Sequence, residues 1–308
     1  MALNIRPLSK ELQQVAYDEL NEVPERLAED ITAIRLWMSQ NTNLKSRTDD
    51  QFIVSFLRGC KFSLEKAKKK IEMFYRARTE TPEFFANRDV NDKKLQEIMD
   101  NGFILPLPVD ESKIEPRVIL TRLGHYDTNR FSFLEIMKVS YLMGDITLRD
   151  SDVTVIAGHV NVVDLRNCGL NLMSQITPTV IKKLSSLLEP FPIRIKAIHL
   201  VYPPRAIDTA FRVLNSVAHE KVRNRIYVHD NFEQLFEKHP GLKHHLPSEL
   251  GGTNSNLPTI ISNWKKTLIA HHQWFIDDSQ YRYNGINENQ VQNGMFGAQG
   301  SFRSLDFD

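Results

Sequence analysis

The 308-residue chain lacks several features that would point to a particular class of protein. Its two cysteines, Cys60 and Cys168, have neither zinc-motif nor disulfide-framework spacing, so we expect a reducing, cytoplasmic setting. The start has no secretory-signal pattern, and no run approaches the ~20 apolar residues of a membrane span. With Lys+Arg at 39 and Asp+Glu at 38, the net charge indicates no partner. Any electrostatic function must therefore come from local clustering.

Signatures of catalysis are also missing. The sequence has no GxxxxGK[ST] or GxGxxG phosphate loop, no GxSxG nucleophile elbow and no HExxH zinc motif. The adjacent pairs His244-His245 and His271-His272 are poor metal sites on a helix, because neighbouring side chains point about 100° apart. Cys168 follows an apparent strand and is interpreted as a partly buried thiol. We therefore predict no catalytic residue, no metal and no enzymatic activity.

The first hundred residues have helical patterns. Ser9 and Pro24 are predicted to open two helices, and Asp49 and Ser63 to cap two more. Apolar residues recur at helical spacing behind Pro24, at Leu27, Ile31, Ile34 and Met38. The lysine-rich segment 66–70 is interpreted as a solvated helix face.

The pattern changes near residue 102. Short β-rich runs at 117–123, 153–165, 196–202 and 225–229 alternate with helical segments, which predicts an α/β fold with a mostly parallel sheet flanked by helices. We predict an all-α region at 1–100, an α/β domain at 101–280, and a flexible polar tail at 281–308, rich in Asn, Gln and Gly.

The segment 182–225 concentrates positive charge. It holds nine basic and three acidic residues, a local charge of +6 in a chain whose total is +1. If the run around Phe191 is extended, Arg194 and Lys196 share one side and Ile193 and Ile195 the other. Such a basic side suits an anionic membrane or phosphate groups. Nucleic acid is the rival partner, but Tyr202 and Tyr227 give little stacking surface, so none is expected.

Pro203-Pro204 opens a helical pattern within this segment. An apolar stripe runs along it, at Ile207, Ala210, Phe211, Leu214, Val217 and Ala218. Such a stripe is typical of ordinary core packing. The alternative is a lid over a cavity that swings open to meet a bilayer.

Three segments together resemble the CRAL-TRIO family. Residues 52–77, FIVSFLRGCKFSLEKAKKKIEMFYRA, contain its FLRxxxF pattern and amphipathic helix. Residues 176–200, ITPTVIKKLSSLLEPFPIRIKAIHL, contain FPxRxKxIHL, and residues 246–252, LPSELGG, match its LPxExGG pattern. The resemblance spans about residues 25–275 and is greatest for the tocopherol-transfer and retinaldehyde-binding branch, including insect-type paralogues. It implies a helical N-terminal region and an α/β domain whose apolar cavity is closed by a gate helix near 204–217.

The resemblance also implies site residues. The implied pocket is lined by Met137, Ser140, Tyr141, Gly144, Val162, Asp164, Leu187, Phe191, Ile198 and Leu200. The implied gate residues are Ile207, Ala210, Phe211 and Leu214, and the implied phosphoinositide-binding residues are Arg194, Lys196, Lys221 and Arg225. Met137 and Gly144 depart from the tocopherol-type pattern, so the ligand could also be a retinoid, carotenoid, sterol or phospholipid.

The function implied is carriage of one hydrophobic lipid between membranes, with transient peripheral docking and release coupled to phosphoinositides and no cofactor beyond these lipids. The alternative is a membrane-recruited lipid sensor or adaptor whose protein partner is unknown. An enzyme acting on the bound lipid is a third hypothesis, for which no nucleophile or metal is visible.

Overall fold

The computed structural model describes residues 3–204 and 223–284. The implied gate residues Ile207, Ala210, Phe211 and Leu214, together with Lys221 and the tail from residue 285, lie outside this range. The described helices are α1 (Lys10–Leu20), α2 (Leu27–Gln40), α3 (Asp50–Gly59), α4 (Leu64–Glu80), α5 (Pro82–Phe85), α6 (Lys93–Asn101), α7 (Phe133–Asp150), α8 (Asp152–Ala157), α9 (Leu170–Gln175), α10 (Pro178–Leu188), α11 (Phe232–Lys238), α12 (Leu257–Ala270) and α13 (His272–Asp278). The strands are β1 (Leu44–Lys45), β2 (Ile104–Pro106), β3 (Arg117–Arg122), β4 (His159–Asp164), β5 (Ile195–Val201), β6 (Ile226–His229) and β7 (Arg282–Tyr283).

The N-terminal helices begin largely where the capping residues predict. Ser9 accepts a hydrogen bond from the Leu12 amide at 3.1 Å, and Asp49 accepts one from the Phe52 amide at 2.9 Å. Ser63 precedes α4 without such a bond. Pro24 lies in a turn, because α2 begins three residues later at Leu27. The predicted apolar stripe of α2 is buried in a core shared with α3 and α4.

The five-stranded sheet has the order β2-β3-β4-β5-β6 and is parallel except for β2, which pairs antiparallel with β3. This confirms the predicted α/β class with a mostly parallel sheet. Connections that return to parallel strands need a crossover, here made through helices such as α7 and α8 between β3 and β4. β1 and β7 form a separate antiparallel pair.

The run 153–165 is not a single strand, which corrects the sequence-based expectation. Its first part is α8, capped by Ser151, whose hydroxyl accepts a hydrogen bond from the Thr154 amide at 3.2 Å. Four successive β-branched residues from Val153 are buried there, so tertiary packing and the cap override their preference for strands. Gly158, at φ +84°, then ends the helix before β4.

The N-terminal helices pack on the α/β region through α7 and α8. Their core includes Leu148 and Val155 from these two helices, and partly buried Phe191 and Ile193 pack against it. No helix in the described part of the chain is long and apolar enough to cross a membrane.

Candidate functional site

The two faces of the central sheet are covered by different helices. Strand register places Ile119, Asn161 and Ile198 on one face, continued by Thr121, Val163 and Leu200. Ile104, paired with Thr121, shares a small cavity with Ile136, Val139 and Met143 of α7, so we call this the α7 face. The opposite face carries Val118, Leu120, Val162, His199 and Val201. The ring of His239, just after α11, lies against His199, so we call it the α11 face.

Burial differs between these faces, although Leu200 on the α7 face is buried and Val160 on the α11 face is partly buried. On the α11 face, Leu120, Val162 and Val201 are completely buried. On the α7 face, Ile119, Val163 and Ile198 are only partly buried. Because protein interiors are close-packed, incompletely covered apolar side chains in the middle of a sheet indicate space beside them. The α7 face is therefore less completely covered by the described residues, and we call the space beside it the groove.

Helix α7 supplies a second wall. Met137, Ser140 and Gly144 recur at helical spacing and are partly exposed, whereas Tyr141 is buried. A third wall comes from α10 and the following turn. Leu187 packs with Tyr141, and the Phe191 ring stacks on that of Tyr141 with centroids 5.9 Å apart. A methyl group on Gly144 would lie 3.7 Å from Phe191, an ordinary van der Waals contact, so Gly144 lies beside this ring.

The implied pocket residues therefore divide into two sets. Met137, Ser140, Tyr141, Gly144, Leu187, Phe191, Ile198 and Leu200 come from the α7 face of the sheet and from the helix and turn segments next to it. Val162 and Asp164 lie on the α11 face instead. Asp164 is fully buried and accepts hydrogen bonds from Arg166, with Nε 3.0 Å from both carboxylate oxygens.

The sequence pattern does not indicate two further residues on this wall. Asn161 and Val163 occupy the α7 face beside Ile198 and Leu200. The apolar run 160–165 has no strict alternation, so its sequence does not reveal which residues face which side. The pairing with β3 decides which residues of β4 face which side, because Val118 and Leu120 of β3 are buried on the α11 face.

The described residues of the implied phosphoinositide set lie near the start of β5; they are Arg194, Lys196 and Arg225. Arg194 donates to Glu19 at 3.0 Å and also to the Ile156 carbonyl, and its side chain is buried. Lys196 is more exposed and lies 3.6 Å from the same Glu19 carboxylate. Arg225 donates to the Ile195 carbonyl. Arg194 and Lys196 thus share one side, as the sequence predicts, and Arg194 is anchored within the fold.

Glu19, on α1, is the acidic partner of this basic surface. Partial burial alone would raise the pKa of its carboxyl group, but the hydrogen bond from Arg194 and the charge of Lys196 hold that pKa below its ordinary value. The carboxylate is therefore ionised at neutral pH and neutralises part of the local positive charge. No feature of the sequence around Glu19 indicates this long-range pairing.

Comparison with known proteins assigns the family. A CRAL/TRIO domain model matches residues 111–252, and a Pinta-like UBA domain model matches residues 23–95. A mouse protein named alpha-tocopherol transfer protein-like is 30% identical over 277 residues, covering 88% of this chain and 78% of the relative. The chain belongs to the CRAL/TRIO domain family.

Two further proteins resemble most of the chain. Mouse clavesin-2 is 28% identical over 286 residues, covering 91% of this chain and 84% of the relative. Among solved structures, the crystal structure of Sfh5 matches at 14% identity with a TM-score of 0.48, covering 90% of this chain and all of that one.

The CRAL/TRIO motif around Arg58 has a structural explanation. Arg58 is buried and donates to both carboxylate oxygens of Glu22, at 2.8 and 3.0 Å, and to Asp152 at 2.6 Å. It thus joins α3 to the end of α1 and to α8. The next residue, Gly59, lies against Pro192, where a methyl group would come within 2.3 Å of the Pro192 carbonyl oxygen. The N-terminal motif and the FPxRxKxIHL motif are therefore in direct contact.

The LPxExGG motif closes a turn beside α12. The Glu249 carboxylate accepts hydrogen bonds from the Leu257 amide, at 2.9 and 3.1 Å, at the first residue of that helix. Gly251 adopts φ +81°, and a methyl group on Gly252 would lie 2.0 Å from the Leu246 carbonyl oxygen. The backbone path thus requires both glycines.

Cys168 has the surroundings of an unreactive thiol. Burial, and then the charge of Asp164, raise its pKa to about 11. The thiol is therefore protonated at neutral pH, and the thiolate needed for nucleophilic attack is scarce.

A cavity of ≈ 630 Å³ lies apart from the groove, between the N-terminal segment, α4, α7 and α13. Its walls carry Arg47, Arg78, Asp145 and Asp278, which pair with one another. The lining also includes apolar residues, among them Phe52, Phe74, Leu148 and Trp274, so the cavity combines ion pairs with apolar walls.

Proposed function

We propose that this CRAL/TRIO protein binds one hydrophobic lipid in the groove at the α7 face and transfers it between membranes, without catalysing a reaction. The observation that carries the proposal is the uneven burial of the sheet, where Ile119, Val163 and Ile198 remain partly exposed on the α7 face. Relatives named alpha-tocopherol transfer protein-like support the transfer activity.

The ligand class follows from the walls of the groove. They are mainly aliphatic and aromatic, with Ser140 and Asn161 as polar groups among them. A pocket of this kind selects by shape and a few polar contacts, which suits a tocopherol-like, retinoid or carotenoid molecule bearing one polar end. At about 0.8 kcal/mol per buried CH₂, such a molecule leaves membranes for water too slowly without a carrier.

Docking on phosphoinositide-containing membranes is the second part of the proposal. The set Arg194, Lys196, Lys221 and Arg225 supplies the positive charge, with Lys196 and Arg225 as its more accessible described members. A Lys or Arg near an anionic surface contributes about 1 kcal/mol of attraction, which suits a brief peripheral visit. Buried Arg194 acts here by holding β5 and Glu19 in place.

Blocking the groove tests the carrier function. Ile198→Trp places a large side chain on the wall of the groove, while Ile269→Trp makes the same change on the exposed surface of α12. We expect Ile198→Trp to reduce transfer of a fluorescent tocopherol or retinoid analogue between vesicles by at least about tenfold, and Ile269→Trp to leave it unchanged. Equal transfer by all three proteins would contradict the groove as the binding site.

The same assay separates the carrier from the sensor or adaptor. A carrier moves ligand from donor to acceptor vesicles at a rate proportional to protein concentration. A sensor would bind the analogue, and lose binding in Ile198→Trp, yet transfer it no faster than a blank. That outcome would overturn transfer while keeping the lipid-binding site.

A further inference from the structure

Three histidines converge on the α11 face, on the side of the sheet opposite the groove. His199 lies on β5, His229 is the last residue of β6, and His239 directly follows α11. The Nδ1 atom of His199 lies 3.0 Å from Nε2 of His229, and the His239 ring centroid is 4.4 Å from that of His199. Each residue offers one ring nitrogen, and the three nitrogens lie within 4.8 Å of one another.

The environment keeps these rings neutral. His199 and His229 are almost completely buried, and His239 is partly buried. Burial, followed by the neighbouring histidines, lowers the pKa of His199 to about 3. Burial likewise lowers the pKa values of His229 and His239. Neutral imidazole is the form that binds metal ions.

The cluster is also incompletely satisfied by its own hydrogen bonds. One proton can bridge the His199 and His229 nitrogens, but Nδ1 of His229 is buried without a hydrogen-bond partner among the described residues. It is the other ring nitrogen, Nε2, that meets His199, so Nδ1 would carry the N–H of the ring when Nε2 binds an ion. The charge of Asp230 raises the pKa of His229, whereas the charge of Lys238 lowers the pKa values of both His229 and His239.

We propose that His199, His229 and His239 bind one divalent transition-metal ion of the zinc class. Zn–N bonds of 2.0–2.1 Å in a tetrahedron place ligand nitrogens roughly 3.4 Å apart. The observed spacing, from 3.0 Å to within 4.8 Å, reaches that value by modest side-chain rotation. Imidazole nitrogen selects zinc, copper or nickel over magnesium or calcium, which prefer oxygen.

The position of the site means that a bound ion would link separate parts of the fold. In the chain, β5 precedes and β6 follows residues 205–222, where the sequence predicts the gate. An ion held by His199, His229 and His239 links these two strands to the segment after α11. It thereby stabilises the part of the sheet to which the predicted gate is attached. This inference does not depend on the proposed lipid function.

A second cluster provides a built-in comparison. Glu115 lies 3.2 Å from Nε2 of His244 and 3.4 Å from Nε2 of His245. Glu115 and His244 are exposed or nearly so, and the carboxylate already pairs with both rings. Exposed groups paired in this way form a weaker site than buried neutral imidazoles, so His244 serves as a matched control.

The test uses the full chain, stripped with a chelator and titrated with ZnCl₂ and CoCl₂. We expect one equivalent to bind, with the visible absorption of tetrahedral cobalt, and thermal unfolding to shift upward by a few degrees. His239→Gln should weaken Zn²⁺ affinity by more than the roughly 10–100-fold that losing an outer-shell partner costs. His244→Gln should stay within about twofold of wild type, and His239→Cys, which keeps a ligand, should retain binding.

Folding is checked separately from binding. His239 is the most accessible of the three, so His239→Gln should match wild type in circular dichroism and thermal unfolding when both are measured in chelator. The proposal is overturned if the wild-type chain binds no Zn²⁺ or Co²⁺ at micromolar concentration. It is also overturned if binding survives His239→Gln and disappears in His244→Gln.

Discussion

The buried guanidinium of Arg58 serves two carboxylates at once, those of Glu22 and Asp152. Removing one partner of a buried ion pair leaves uncompensated charge in a poorly solvated place. We expect Arg58→Ala to lower the free energy of unfolding by about 3–5 kcal/mol, measured by urea denaturation.

Arg35 gives the matched comparison for this prediction. It also pairs with an aspartate, Asp50, but its side chain is substantially exposed. Exposed pairs contribute about 0–1 kcal/mol, so Arg35→Ala should cost no more than that. Similar losses for the two variants would mean that burial does not set the cost of these ion pairs.

His159 makes the stability of the fold depend on pH. Burial lowers its pKa from an ordinary value of 6.5 to about 4. Between those values the unfolded chain binds a proton that the folded chain does not, so stability falls as pH falls through this window. Its contribution between about pH 7.5 and pH 5 is a loss on the order of 2 kcal/mol.

The measurement compares wild type with His159→Gln, which cannot gain that proton. Urea unfolding at both pH values should show a smaller decrease in the variant, by about the same 2 kcal/mol. An identical pH dependence in the two proteins would show that another group is responsible.

At the scale of elements, Gly59 controls how closely α3 approaches the turn before β5. A methyl group there would meet both the carbonyl oxygen and the Cβ of Pro192, at 2.3 and 2.6 Å. Because the Pro192 backbone cannot move freely, Gly59→Ala should overpack this contact and lower the free energy of unfolding by about 1–3 kcal/mol.

Gly241 offers the control, since a methyl group there meets nothing within 4 Å. Thermal unfolding of Gly241→Ala should lie within about 0.5 kcal/mol of wild type. If Gly59→Ala were equally harmless, the contact between the two family motifs would not limit the packing of the N-terminal helices.

The elements that the sequence predicts well are those with local signals. Ser9 and Asp49 cap α1 and α3 because a side-chain oxygen bonds a nearby amide, an interaction within three residues. The strand predicted from Val153 is wrong. Its β-branched residues favour a strand, but the Ser151 cap and the burial of the whole turn produce a helix. Such tertiary effects have no local signature.

The groove shows the same division. The sequence predicts that β4 and β5 belong to one mostly parallel sheet, since β-rich runs alternate with helical segments. The face on which each residue of β4 lies depends on the register with β3. Only the structure therefore shows that Asn161 lies on the α7 face and Val162 on the α11 face. Glu19 is separated by 175 residues from Arg194, and a pairing across that distance leaves no pattern in one sequence.

At the scale of the whole molecule, Glu19 opposes membrane docking in the proposed function. Its carboxylate lies against Arg194 and Lys196, two members of the basic set. Glu19→Gln removes that negative charge, and about 1 kcal/mol of extra attraction corresponds to roughly fivefold tighter binding to phosphoinositide vesicles. Vesicle sedimentation at low and high salt measures it, because screening should abolish the gain.

Glu11→Gln makes the same change on the exposed face of the same helix, and should alter binding little. Equal effects of the two substitutions would indicate a general charge effect and not a specific pairing. Weaker vesicle binding by Glu19→Gln would contradict the basic surface as the docking site.

The proposed function requires that the groove between the α7 face and α7 holds one lipid. Native mass spectrometry of the purified chain, followed by solvent extraction and identification of the extract, tests it most directly. We expect one stoichiometric isoprenoid or other hydrophobic lipid on wild type, either as purified or after exposure to retinoids, tocopherols, sterols and phospholipids, and none on Ile198→Trp. A folded wild-type chain that stays empty after all of these were offered would contradict it.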